Sequence, residues 1–230
     1  MILVCDTSNS TCCAGVYDGI KAVAYEISMD TRTHSETFMP LVDRVMKAAG
    51  VTYDDLFAIA VTVGPGSFTG IRIGLAAVKG MALASGRKVI PVSSTLALSM
   101  SCEICDDYGR ETLFIPCFDA RNDRVFAQIT YARTHETIVS EDAYHASELV
   151  KQLKRKIGIT KPRIIVIGNG ADTVKGYMEE GGIRAEYAPG CVISPQGIAM
   201  AAAFNPVLTD PAKVEACYCA ASRAQRYQNG

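Results

Sequence analysis

The apolar positions along the chain change texture in a regular way. Residues 2–6 (ILVCD) form a short apolar run ending in an acid, and 12–17 and 21–28 read as two further strands. Asp18-Gly19 between them is a strong hairpin dipeptide, so three consecutive strands are expected. A helix follows. Phe38, Leu41, Val42, Val45, Met46 and Ala49 repeat at helical spacing, Thr33 and Glu36 have capping-box spacing, and Gly50 is placed to end it. Residues 58–63 (AIAVTV) are a buried strand running into Gly64-Pro65-Gly66. A helix over about 67–85, a strand at 88–92 and a helix at 94–102 complete this half.

After the polar stretch 103–111 the pattern starts again. Strands are expected at 112–118, 124–131 and near 136–140, a helix at about 146–156, and a strand at 163–167 running into Gly168-Asn169-Gly170. A helix, a short strand near 185–188 and a helix from Ser194 to Phe204 close the chain. The order strand-strand-strand-helix-strand-helix therefore occurs twice. It implies an α/β protein of two lobes, divided as 1–105 and 106–230, on the duplicated plan of the actin, Hsp70 and sugar-kinase superfamily.

Composition adds three constraints. The 230 residues carry a formal net charge of −1, so a chain that grips RNA unaided is not expected. The densest basic cluster is Lys151, Lys154, Arg155 and Lys156. Met1 to Asp6 has no basic leader, and no apolar run reaches the roughly 20 residues of a membrane span, which points to the cytosol. The nine cysteines then read as reduced thiols and small buried hydrophobes; Cys102-x-x-Cys105 and Cys217-x-Cys219 are a poor zinc pattern.

The most informative stretch is Gly64-Pro-Gly-Ser-Phe-Thr-Gly-Ile-Arg-Ile-Gly74. It is neither a dinucleotide fingerprint nor a phosphate loop. What remains is a strand, a turn, and a helix start with Ser67 as N-cap. Gly70 and Gly74 share one helix face, roughly extended by Ala77 and Met81. A glycine inside a helix costs about 1 kcal/mol relative to alanine, so close backbone approach is expected, either to the chain's own sheet or to a second subunit. Periodicity by itself favours the chain's own sheet.

This stretch closely resembles the signature of the TsaB (YeaZ) family. His34-Ser35-Glu36, Val92-Ser93-Ser94, Asp119-Ala120-Arg121 and Asp6-Thr7-Ser8 also resemble that family's elements, densely over residues 1–126 and architecturally beyond. The resemblance implies a non-catalytic dimerisation subunit of the tRNA threonylcarbamoyladenosine machinery. Its partner would be the catalytic paralogue TsaD, with the ATPase TsaE as a third component, and tRNA would be reached only through the complex. It implies contact through the two long N-terminal helices, which favours a partner-facing role for the glycine helix. The interface candidates are Phe38, Leu41, Val45, Gly70, Arg72, Gly74, Ala77 and Met81. A self-complementary face would also let isolated chains form a homodimer.

The resemblance argues against catalysis. The catalytic paralogue binds metal through an H-x-x-x-H element, where this chain has Val92-Ser-Ser-Thr-Leu-Ala-Leu-Ser99 without histidine. The three histidines, His34, His135 and His145, form no helical pair, so no metal site is expected. Asp6, His34, Asp119, Gly168 and Gly170 fall where the superfamily binds ATP between lobes. Glycine is absent after Asp119, so at most a vestigial nucleotide cleft is expected, with no intrinsic cofactor. The plain readings are strand-end caps for the aspartates, a turn for Gly168-Gly170, and a capping residue for Glu36. The alternatives in function are an ATP-dependent small-molecule kinase and a metallopeptidase-like protein. The tail Glu215–Arg223 departs from the family's Pro-x-Tyr-Leu-Arg pattern, retaining Tyr218.

Overall fold

A computed structural model describes residues 1–29, 34–102 and 111–219. The chain divides into two units, Met1–Ser101 with Val192–Cys217, and Cys102–Cys191 with the tail from Tyr218. Each contains one five-stranded mixed sheet.

In the first unit, β1 (Ile2–Asp6), β2 (Cys12–Asp18) and β3 (Lys21–Ser28) form an antiparallel ribbon. Helix α1 (His34–Ala49) follows, then β4 (Ala58–Gly64), α2 (Phe68–Ser85), β5 (Lys88–Ser93) and α3 (Ser94–Ser101). The sheet order is β3-β2-β1-β4-β5, with β4 parallel to both β1 and β5. Helices α1 and α2 cover one face. Phe38, Leu41 and Val45 of α1 and Ile71 and Val78 of α2 are buried with Leu3, Cys5 and Ile59 of the sheet. Ser67 caps α2 by accepting a hydrogen bond from Gly70 N at 3.2 Å. The expected cap of α1, Thr33, lies outside the described residues. By length and composition α2 is apolar enough to cross a membrane, but Ile71, Val78 and Ala82 are buried in this core.

The second unit repeats the plan with β6 (Leu113–Asp119), β7 (Arg124–Tyr131), β8 (Thr137–His145), α4 (Ala146–Ile157), β9 (Ile164–Ile167), α5 (Ala171–Glu180) and β10 (Glu186–Ala188). Its sheet order, β10-β9-β6-β7-β8, matches the first in topology. Leu149 and Leu153 of α4 and Val174 and Met178 of α5 pack on Ile115, Val125 and Val166. His145 caps α4, its Nδ1 accepting from Ser147 N at 3.3 Å.

The division at 105/106 falls among residues outside those described, and it does not describe the C-terminal segment. Helix α6 (Pro195–Phe204) belongs to the first unit, on the sheet face opposite α1 and α2. Ile198, Ala199, Ala201 and Ala202 are buried, and such an apolar helix needs a covered seat. Small residues provide it: a Cβ on Gly197 would run into Ser101 Oγ of α3, and Ser194 N donates to that same oxygen at 2.9 Å. Beyond α6, Val89 pairs with Thr209, and Cys217 N donates to Val63 O at 2.7 Å.

The burial of α1 gives a direct test. Leu41→Ala should lower the unfolding free energy in urea by about 2–5 kcal/mol, and Met39→Ala, on the solvent side of the same helix, by no more than about 0.5 kcal/mol. Similar losses for both would show that α1 is turned the other way.

Candidate functional site

In the first unit the site is built where β1 ends under the start of α2. Asp6 is fully buried. Its Oδ1 accepts from Ser8 N at 2.9 Å, from Ser8 Oγ at 2.6 Å and, closely, from Thr62 Oγ1. Oδ2 has no partner among the described residues, and neither has Nε2 of the buried His34. Burial pushes the Asp6 carboxyl above its ordinary 3.8, while the Ser8 and Thr62 hydrogen bonds and the charge of His34 pull it down. His34 thus lies near enough to Asp6 for its charge to act on the carboxyl. Ser94 Oγ joins this polar cluster by donating to Ser8 Oγ at 3.1 Å.

The glycines of the signature explain how α2 reaches this turn. A Cβ on Gly70 would run into the carbonyl oxygen of Thr7, and one on Gly74 into Thr7 Oγ1. Thr7 Oγ1 donates to Gly70 O at 2.7 Å, and Ser67 N donates to Ser8 O at 2.7 Å. The start of the helix thus lies directly on the β1–β2 turn, against the Thr7 carbonyl at Gly70 and the Thr7 hydroxyl at Gly74. This corrects the partner-facing assignment of Gly70 and Gly74: their close approach is to Thr7 of the same chain. Phe38, Leu41, Val45 and Met81 are likewise buried in the first unit's core, so they are not surface contacts. The period that placed Phe38, Leu41 and Val45 on one face of α1 was right, but that face meets the sheet.

The face of α2 that does reach solvent runs through Arg72, Ala76, Gly80, Leu83 and Ala84, with Ala77 half-buried at its margin. Arg72 lies 3.8 Å over the ring of Phe68, itself exposed. Leu83 is 62% exposed, and a Cβ on Gly80 would meet nothing within 4 Å. A groove of about 580 Å³ runs beside it, lined by Tyr53, Asp54, Gly80, Met81 and Ala84. Of this surface the sequence reading named Arg72 and Ala77 as interface candidates and missed Ala76, Gly80, Leu83 and Ala84. Its signal was Gly80, which does not share the face of Gly70 and Gly74.

In the second unit Asp119 ends β6, exposed, and accepts from Arg121 N at 3.0 Å. Its own N–H donates to Asn169 Oδ1 at 3.0 Å. Gly168 turns the chain at φ 93°, and a Cβ on Gly170 would come within 3.1 Å of the Asp119 nitrogen. The structure thus brings Asp119, Gly168 and Gly170 together as a tight strand-to-helix packing. Arg121, Asn122 and Asp123 take left-handed φ values of 62°, 53° and 56°. The turn keeps a conformation glycine would favour, while its side chains occupy the space glycine would leave open.

Where the catalytic paralogue is expected to carry histidines, Ser93 Oγ caps α3 through Leu96 N at 3.2 Å. Cys5 and Cys117 are buried, and burial pushes both thiols well up, so they act as small hydrophobes. Cys105 lies outside the described residues.

Two units of matching topology, each with three antiparallel strands and a parallel extension layered with helices, define a duplicated α/β protein. The family model described as "TsaD: tRNA N6-adenosine threonylcarbamoyltransferase" matches residues 27–207. The tRNA threonylcarbamoyladenosine biosynthesis protein TsaB of Haemophilus influenzae is 27% identical over 164 residues, 66% of this chain and 67% of that protein. A Pseudomonas aeruginosa protein described as similar to the peptidase YeaZ superposes with a TM-score of 0.77 at 23% identity, covering 95% of this chain and 99% of that one. The tRNA N6-adenosine threonylcarbamoyltransferase of Erythrobacter litoralis is 39% identical over 75 residues, 33% of this chain but 22% of that protein. The chain belongs to the family that this model describes, among its TsaB (YeaZ) members.

The glycine geometry predicts opposite signs within one helix. Gly70→Ala should cost about 1–3 kcal/mol in denaturant unfolding through the clash with Thr7, while Gly80→Ala should gain about 1 kcal/mol. The Asp6 carboxyl predicts a pH dependence. A carboxyl raised by burial is protonated more readily in the folded than in the unfolded chain, so its penalty is absent in acid and grows as pH rises past 3.8. Asp6→Asn should therefore be more stable than the parent at pH 7, with the gap closing as pH falls towards about 4 in matched thermal unfolding.

Proposed function

We propose that this chain is a non-catalytic subunit for transfer of threonylcarbamoyl to N6 of the adenosine beside the tRNA anticodon, acting in the cytoplasm. It would associate with a catalytic threonylcarbamoyltransferase paralogue of the TsaD type, with a TsaE-type ATPase as a further component. The tRNA is engaged as part of that complex. The names of the TsaB relatives support the pathway.

The observation that carries the subunit reading is the outer face of α2. Gly70 and Gly74 have a reason within the chain, because Thr7 fills the space a Cβ would need. Gly80 has none, yet it costs the helix about 1 kcal/mol relative to alanine. Beside it Ala76, Leu83 and Ala84 present small and apolar surface to water. A partner helix lying along this row would approach the backbone closely at Gly80 and bury Leu83. The neighbouring groove would take one of its side chains. The outer side of α1, with Met39 and Pro40 exposed, extends the surface.

A subunit of this kind needs no cofactor or metal of its own. The serines and threonine at 93–95, where the paralogue is expected to carry metal ligands, bond to each other, to α3 and to Ser8. The surface that would bind the paralogue could also pair two copies of this chain in its absence.

Sedimentation of the chain mixed with the TsaD-type paralogue of the same genome tests the reading. The parent should form a complex at tens of micromolar, and Ala76→Arg should weaken it at least about tenfold without changing thermal stability. A complex untouched by Ala76→Arg would move the interface elsewhere. No complex with the parent, together with unchanged threonylcarbamoyladenosine formation when this chain is omitted, would overturn the proposed function.

A further inference from the structure

The charge of the chain is not spread evenly. Residues 146–164 hold Lys151, Lys154, Arg155, Lys156, Lys161 and Arg163 against the single acid Glu148, in a chain whose net charge is −1. The fold gathers these cations at one end of the second unit, where α4 ends, β9 begins and α5 ends. Two of them, Lys154 and Lys161, line a groove of about 890 Å³ together with Arg184 and the apolar Ile157, Ile159 and Ile183, with no acidic residue in its wall among the described residues. Arg184 comes from beyond α5, twenty or more residues away in sequence, so the clustering is made by the fold.

The ordinary explanation covers part of this. Lys154, Arg155 and Lys156 occupy the last turn of α4, where cations complement the carbonyl end of the helix. Lys161 and Arg184 lie outside any helix, so that explanation does not reach them. Carboxylates stand near the group, Glu179 and Glu180 at the end of α5 and Glu111 lining a neighbouring groove with Lys156, but they form no ion pair with it among the described residues. Arg163 is taken up by Glu186, at 2.7 and 2.8 Å. Among the described residues none of Lys151, Lys154, Arg155, Lys156, Lys161 and Arg184 makes an ion pair. The Lys154 stem lies against the last turn of α5, its Cε 3.1 Å from where a Gly181 Cβ would sit, which leaves its ammonium at the rim. Ile159 stands fully exposed between Gly158 and Lys161, an apolar tip set among cations.

We propose that this basic end of the second unit docks the sugar–phosphate backbone of RNA. Three cations without an ion pair around a concave wall, with Lys151, Arg155 and Lys156 on the same helix as one of them, match a chain of phosphates, and Ile159 offers an apolar contact to a ribose or base face. Identification of that RNA as tRNA rests on the function proposed above. The surface adds to affinity within the complex and is too small to give tight binding alone, in keeping with the overall charge.

The test is fluorescence anisotropy of labelled tRNA across a salt series, for the chain alone and for its complex with the TsaD-type paralogue. The parent is compared with Lys154→Glu/Lys161→Glu/Arg184→Glu and with the milder Lys154→Gln/Lys161→Gln/Arg184→Gln. The acidic triple variant should bind at least about tenfold more weakly at low salt, and the slope of log affinity against log salt should flatten by roughly one per lost contact. The glutamine variant should fall between it and the parent. Association with the paralogue, followed by sedimentation, should not change. Unchanged tRNA affinity and slope in both variants would overturn the proposal while leaving the subunit reading intact. Loss of paralogue association with unchanged tRNA affinity would overturn it in favour of an acidic protein partner. If the parent chain does not join the paralogue at all, the subunit reading fails, and the anisotropy of the chain alone still decides the RNA surface.

Discussion

The contact on which the first unit depends is the seating of helix α2, through its glycine face, directly on the Thr7–Ser8 turn. It requires glycine at two positions one helical turn apart, because a Cβ at either would occupy the place of a Thr7 oxygen. The contact orients everything around it. With α2 seated, Ser67 and Gly70 bond to the turn, Ser8 is held for Asp6, and Ile71 and Val78 reach the core. It also fixes which side of α2 is left over. The stripe through Ala76, Gly80 and Leu83 faces outward because the Gly70–Gly74 side is already used.

Asp6 shows what this seating costs and provides. A fully buried carboxyl with one oxygen unpartnered among the described residues is expensive in a low-dielectric site. Three donors on its other oxygen and the nearby His34 offset part of that cost. In the second unit the corresponding strand end carries Asp119 exposed, with a left-handed turn of three non-glycine residues beside it. The duplicated plan therefore keeps its topology but not its chemistry. One copy buries its strand-end acid and presents a slim helix; the other leaves its acid in water and gathers cations at the far ends of its helices.

Much of the architecture was legible in the sequence. The Asp18-Gly19 hairpin, the two three-strand ribbons and the periods of α1, α2 and α4 are local signals, since each depends on residues a few positions apart. The glycine signature and the absence of histidine at 92–99 were equally plain. The candidate site was less so. Phe38, Leu41 and Val45 were grouped correctly as one apolar face and Met81 was placed on the glycine face of α2, yet both faces belong to the core. The exposed row carries weaker residues, alanine and glycine, whose surface meaning no period reveals.

The sequence by itself determined the elements, their order, and which residues share a face of each helix, because those follow from 3.6- and 2-residue periods along the chain. The tertiary structure alone decided what each face meets. Gly70 and Gly74 meet Thr7, more than sixty residues away; α6 returns to the first unit across the whole second one; Arg184 joins Lys154 and Lys161 around one groove. Such meetings are set by how layers pack when all apolar faces compete for burial together. A period along one segment holds no information about the segment that will cover it.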